Sequence, residues 1–291
     1  MEKGTALANT YGKCYNKRMK YCKSVLQFFF ILDKGKRLFY FLIIILPLSF
    51  LVSMIFPLDT YTSWIASFST PYPTFGSLWL SLQPSFRWPV LLLALLGLVI
   101  AFSAYSTLTL RCFRVGRFTI KGFFRNANEN FFASFYLLAS IITIYMFWQF
   151  VLALLLFLCQ QAISLTAVKL FSSITVLIWS GVFLPLILPM VIWFPLMAIN
   201  GLPPARAFGR ALQKIGHHGG RILFALAFMA VVIVGLGIIS ALVGNGAFSL
   251  VFNAIAFTFG FCYFAVLNMA VYFDIEGLVR EDITRSLYFS R

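Results

Sequence analysis

Apolar positions along this chain gather into six long runs, separated by short polar connections. The runs are approximately Leu38–Phe56, Pro89–Leu110, Phe131–Cys159, Leu170–Ile199, Ile222–Val243 and Ala247–Phe273, and none contains Asp, Glu, Lys or Arg. About 20 apolar residues suffice for a helix to cross the hydrocarbon layer of a bilayer. Each run therefore predicts a spanning helix, and the chain reads as an all-α, six-span membrane domain over residues 25–282. A basic arm over 1–24 and a short tail over 283–291 flank it.

A second pattern occupies the connections. In Pro203–Arg221, Phe208, Ala211, Leu212 and Ile215 recur at helical spacing on one face, while Arg206, Arg210 and Lys214 fall four apart on the other. Pro203-Pro204 suit the start of a helix, and Gly216 with Gly219-Gly220 predict its end before the next span. The expected element is a short basic helix in the membrane interface, apolar face toward the acyl chains and cations toward headgroups.

The same apolar template recurs at Ile120, Phe123, Phe124 and Ala127, beside Arg117, Lys121 and Arg125, and again at Val25, Phe28, Phe29 and Leu32. Asn126, Asn128 and Asn130 supply turn chemistry before the third span. Three parallel units follow, over residues 25–110, 117–199 and 205–273, each an elbow helix, a span out and a span back.

Charge changes the picture by its placement. The net charge is +15, yet 21 of the 23 Lys and Arg lie in the N-terminal arm, residues 111–130, residues 200–221 and the C-tail. Only Arg87 and Lys169 lie in the alternate connections. By the positive-inside rule both termini are cytoplasmic, in a cell (inner) membrane. The basic excess then serves orientation and anionic lipid of the cytoplasmic leaflet, and nucleic acid is not the expected partner. The long basic arm and the absence of a small-residue cleavage site make the first span a retained anchor, with no secretory signal.

The one sizeable external connection, Pro57–Trp88, is rich in aromatic residues and prolines and nearly uncharged. It reads as a loop resting at headgroup level. Pro185, Pro189 and Pro195 crowd the fourth span, as a packing kink or as the lining of a path. Polar residues inside spans include Gln149, Asn253 and Asn268, hydrogen-bond partners between helices or ligands of a cavity. Four of the eight acidic residues fall in Asp274–Asp282, either pairing with the elbow arginines or forming a solvated helix end.

No span holds the carboxylate or lysine that marks an ion pathway. No phosphate loop, HExxH, GxSxG or acidic metal pair occurs, and the five cysteines lack metal or disulfide spacing. No catalytic residue, metal or cofactor is expected.

The stretch from Ala205 to Phe228, followed by the Tyr272-Phe273-Asp274 exit, resembles the membrane domain found in some bacterial glycerophosphoryl diester phosphodiesterases and in related stand-alone six-span proteins. Phe208, Ala211, Leu212 and Lys214 fit that family's amphipathic AxxxSWxLxKxxFW piece, and Tyr272, Phe273 and Asp274 fit part of its YYDLRxR ending. The tryptophans of the first motif are absent, and Glu276-Gly277 stands where basic residues belong. The resemblance covers residues 200–282 and implies a six-span membrane domain. It carries no hydrolytic activity, because the soluble phosphodiesterase barrel is missing. The expected role is a non-enzymatic scaffold or accessory subunit acting with lipids or a protein partner. The alternative is a permease or lipid-translocating protein for neutral or lipidic substrates.

Overall fold

The structure, a computed structural model, describes residues 20–31, 45–50, 52, 75, 88–115, 123–159, 165–243 and 246–278. Every extended element among them is a helix: α1 (Lys20–Ile31), α2 (Trp88–Val115), α3 (Phe123–Glu129), α4 (Phe131–Cys159), α5 (Leu165–Ala198), α6 (Pro204–Val243) and α7 (Gly246–Ile275). Five helical stretches are long and apolar enough to cross a membrane: Leu92–Arg114, Phe131–Cys159, Thr166–Ala198, His218–Ser240 and Phe248–Ile275. That is the pattern of a multi-pass membrane protein. The first expected span, Leu38–Phe56, lies mostly outside the described residues, as do nearly all of Pro57–Trp88 and the tail beyond Leu278. Phe75 is the exception within that connection, and it packs edge-on against Phe150 (5.7 Å) and Phe157 (6.3 Å) of α4.

Helix α7 is the hub, packing against α1, α2, α5 and α6. Every residue from Cys262 to Phe273 is buried, whereas α4 and α5 turn many leucines and phenylalanines outward. Burial therefore grades from the hub to the periphery, as expected when the surroundings are as apolar as the core. Phe102 of α2 lies at the centre, against Phe194 of α5 (5.1 Å) and Phe261 of α7 (5.5 Å). Neighbouring α4 and α5 are held by a reciprocal pair. Each of Trp148 and Trp179 donates its indole N–H to the other's backbone carbonyl at 3.0 Å, with the rings stacked. At the far end, the Ser240 and Ser249 hydroxyls meet at 2.7 Å, closing α6 and α7 into a hairpin.

Four local expectations change. Helix α1 begins at Lys20, inside the stretch expected to be arm, and its buried residues are Tyr21, Cys22 and Val25. The apolar template, which starts at Val25, does not include Tyr21 and Cys22, the turn that meets the hub ahead of it. Next, Asn126 and Asn128 are helical within α3, and the turn falls at Asn130 alone. The Asn130 side chain is buried and donates to Thr107 Oγ1 at 2.8 Å, so that it joins α2 to the start of α4.

The third change concerns the glycines. Gly216 and Gly219-Gly220 do not end the elbow, because backbone helix runs unbroken from Pro204 to Val243. A glycine costs about 1 kcal/mol in a helix interior. Burial on either side, at Ala207, Ala211, Ile222 and Ala225, holds the segment helical across them.

The elbow persists as a bend. Phe102 touches both Phe194 and Phe264, which fixes those two residues at one level. Asp274, joined to His218 through Tyr21, lies roughly 15 Å beyond Phe264 at 1.5 Å per residue. A straight α6 would carry Pro204 about 21 Å farther still. Instead the Pro204 carbonyl accepts a bond from the indole of Trp193, at 2.8 Å, beside Phe194. Both contacts are met only if α6 changes direction between Pro204 and His218, a stretch that holds Gly209 and Gly216. Its first turns then lie across one end of the bundle.

The fourth change follows from this bend. Ala207 and Ala211 are fully buried, and Phe208 and Ile215 pack on the core, Phe208 edge-on to Trp193 at 5.7 Å. The apolar face expected in the acyl boundary is covered by the protein, and of the template residues only Leu212 is left exposed.

Close approach of the hairpin helices depends on Gly260, where an added Cβ would lie 2.8 Å from Ile233 Cδ1. Gly260→Val should lower stability by about 1–3 kcal/mol through overpacking. Ile233→Ala in the same chain should recover part of it, read from thermal melts in detergent.

Candidate functional site

Polar side chains converge at the end of the bundle crossed by the first turns of α6. Helix α7 ends there, at Gly277, whose φ of 62° is the left-handed conformation that closes helices. The Leu278 N–H returns to the Phe273 carbonyl at 3.0 Å. The last turn thus presents Asp274 and Glu276 at the point where the apolar span stops.

Asp274 is the meeting point of three helices. One carboxylate oxygen takes the Lys20 ammonium and the other accepts the Tyr21 hydroxyl at 2.8 Å, both from α1. The Tyr21 oxygen also lies 3.0 Å from His218 Nδ1 on α6. A tyrosine has one hydroxyl proton, and here it goes to the carboxylate. His218 Nδ1 therefore carries its own proton and donates to the tyrosine oxygen. Burial, first, and then the bond to Asp274 and its negative charge raise the Tyr21 pKa, while Arg221 acts in the opposite direction. Burial likewise raises that of Cys22, against a bond from the Tyr263 hydroxyl.

Two further contacts complete this end. Lys214 of α6 bridges to Glu276, and the Tyr272 hydroxyl donates to Asn200 Oδ1 at 2.7 Å in the α5–α6 connection. The acidic exit of α7 is paired, not with the elbow arginines but with Lys20 of the expected arm and Lys214 of the elbow, while Arg206 and Arg210 stand exposed on the outer face. Between α1 and the end of α7 a groove of about 370 Å³ opens, with Lys20, Tyr21 and Asp274 on its polar side and Ala270, Phe273 and Leu278 on its apolar side.

The residues singled out from the sequence are dispersed. Arg117 and Lys121 lie outside the described residues, and Arg125 forms an exposed pair with Glu129 at 3.1 Å. Such a pair contributes little. Pro185, Pro189 and Pro195 lie in one uninterrupted helix, running from exposed at Pro185 into the buried stretch around Pro195. Gln149 is buried and donates to the Tyr145 hydroxyl at 2.5 Å, one turn away on its own helix. Asn253 and Asn268 share α7 but stand roughly 22 Å apart along it. None of the three lines the groove. Asn268 is fully buried, and neither amide atom has a hydrogen-bond partner among the described residues.

Lys20, Tyr21 and His218 were not legible as one cluster. The only signal was the acidic exit of the last span, which pointed to the elbow arginines instead of to Lys20 and Lys214.

The raised Tyr21 pKa has a consequence with a definite sign. A folded-state pKa above the unfolded value of 10.0 means the proton is held more tightly when folded, so this contribution is intact at neutral pH and lost as pH rises beyond 10. Tyr21→Phe should cost about 1.5–3 kcal/mol at pH 7, the range for a hydrogen bond to a charged group. Melting curves of wild type and variant should converge above pH 10. No family model, curated protein or solved structure matches this chain.

Proposed function

We propose that this protein is a six-span inner-membrane scaffold or accessory subunit, without catalytic machinery of its own, that works with anionic lipids and a protein partner. In this reading the bundle end bearing Asp274 is cytoplasmic, as are both termini, and the first span is Leu38–Phe56. The three elbow-plus-span units are repeats, akin to the phosphodiesterase-associated membrane domain that residues 200–282 resemble.

The observation that carries the scaffold reading is the packed centre. Residues 187–197 of α5 meet the buried stretch of α7 in one continuous apolar cluster. Among the described residues, the polar side chains that would mark a path are spread along the helices, and none of Gln149, Asn253 and Asn268 lines the groove beside α1. A permease requires a lined route, and its candidate residues face separate surroundings. Arg206 and Arg210, exposed on the bent start of α6, are left to meet headgroups.

Purification from native membrane should bring down a stoichiometric polypeptide or a defined anionic lipid, and proteoliposomes should neither take up neutral solutes nor scramble lipid. Scrambling would overturn the scaffold reading in favour of translocation. Arg206→Glu with Arg210→Glu should expose a Gln213→Cys label in anionic vesicles but not in neutral ones, since each surface cation contributes about 1 kcal/mol. Equal labelling of parent and variant in both lipids would remove the headgroup contact.

A further inference from the structure

We propose that the groove between α1 and the end of α7 binds the headgroup of a primary-amine phospholipid, of the phosphatidylethanolamine type, its ammonium on Asp274 and its phosphate on Lys20. This rests on the reading that this end of the bundle meets lipid headgroups, and it names which headgroup.

The groove has the composition of an amphiphile site. Its volume of about 370 Å³ falls within the size of small-ligand pockets. It lies where the span Phe248–Ile275 ends, hence at headgroup depth. Phe273, Ala270 and Leu278 offer an apolar wall for the glycerol and upper acyl carbons, and Lys20 and Asp274 offer one charge of each sign. Both are reachable, with side chains 50% and 23% exposed. The C-terminal end of α7 adds the negative end of a helix dipole, which favours a cation beside Asp274.

Charge matching selects the headgroup. Lys20 now occupies Asp274. A lipid ammonium can take that place with three N–H donors and release Lys20 to the phosphate, leaving every charge paired. A choline headgroup has no N–H to give Asp274. A glycerol headgroup brings an anion without a cation, so Lys20 could reach its phosphate only by abandoning the carboxylate. Tyr21 keeps its bond to the second carboxylate oxygen throughout, holding Asp274 in place during the exchange.

The test is native mass spectrometry of the wild-type protein in detergent, with short-chain lipids whose amine carries none, one, two or three methyl groups, and with phosphatidylglycerol. Retention should fall stepwise with methylation, about tenfold from first to last, as charge-assisted donors are removed. Asp274→Asn should abolish this gradient, with a melting curve confirming that the variant is folded. Free phosphoethanolamine at equal concentration should fail to displace the lipid, because it lacks the part that meets the apolar wall. A flat methylation series in wild type, a gradient that survives Asp274→Asn, or full displacement by free phosphoethanolamine would overturn the site. Preferential retention of phosphatidylglycerol would do so while leaving the anionic-lipid reading intact, and no retention of any lipid would overturn both.

Discussion

A carboxylate at the end of an apolar span must be partnered, because an ionised group near hydrocarbon is costly when left alone. Asp274 is such a group, and the way it is satisfied organises its end of the bundle. Its two oxygens take the Lys20 ammonium and the Tyr21 hydroxyl, and Tyr21 passes the connection to His218. Helix α1, separated from α7 by more than 200 residues of chain, is fixed by this demand as well as by burial of Cys22 and Val25. Glu276 repeats the logic with Lys214 and ties down the bend of α6.

The same end shows how an amphipathic helix can serve a protein rather than a bilayer. The apolar face of the first turns of α6 lies on Trp193 and the core, so the exposed side retains arginines, Gln213 and one leucine. The glycines do not terminate the helix. An added Cβ at Gly216 or Gly220 would meet nothing within 4 Å among the described residues, so close packing is not what these glycines serve. Gly260 is different in kind, since it meets Ile233 directly.

Deeper in the bundle, polar groups follow the rules of a dry interior with several exceptions among the described residues: the hydroxyls of Ser106, Ser134 and Ser172, Asn253 Oδ1 and the Asn268 amide have no hydrogen-bond partner. Hydroxyls return to carbonyls one turn back, as at Thr107, Thr109 and Thr258, and tryptophans reach backbone across a helix pair. Asn268 breaks the rule, with its whole amide buried and unpartnered among the described residues. Each such group costs about 1–3 kcal/mol.

The sequence by itself determined the membrane class and the position of the helices. Long uncharged runs admit only one backbone solution in hydrocarbon, in which every amide is satisfied within its own segment. That constraint is local, and it is legible in α2, α4, α5 and α7. Spacing also showed that Phe208, Ala211 and Ile215 share a face, and composition marked the acidic exit near Asp274, with the elbow arginines or solvent as its alternatives. Only the tertiary structure decided what that face packs against and which cations answer. Periodicity states that a face is apolar without stating whether lipid or protein covers it. A carboxylate specifies the sign of its partner, and the choice of Lys20 and Lys214 over Arg206 and Arg210 depended on where α1 and α6 come to lie. The clustering of Tyr21, His218 and Asp274 joins positions remote in the chain, and pairing across that distance is set by packing, which a local pattern does not encode.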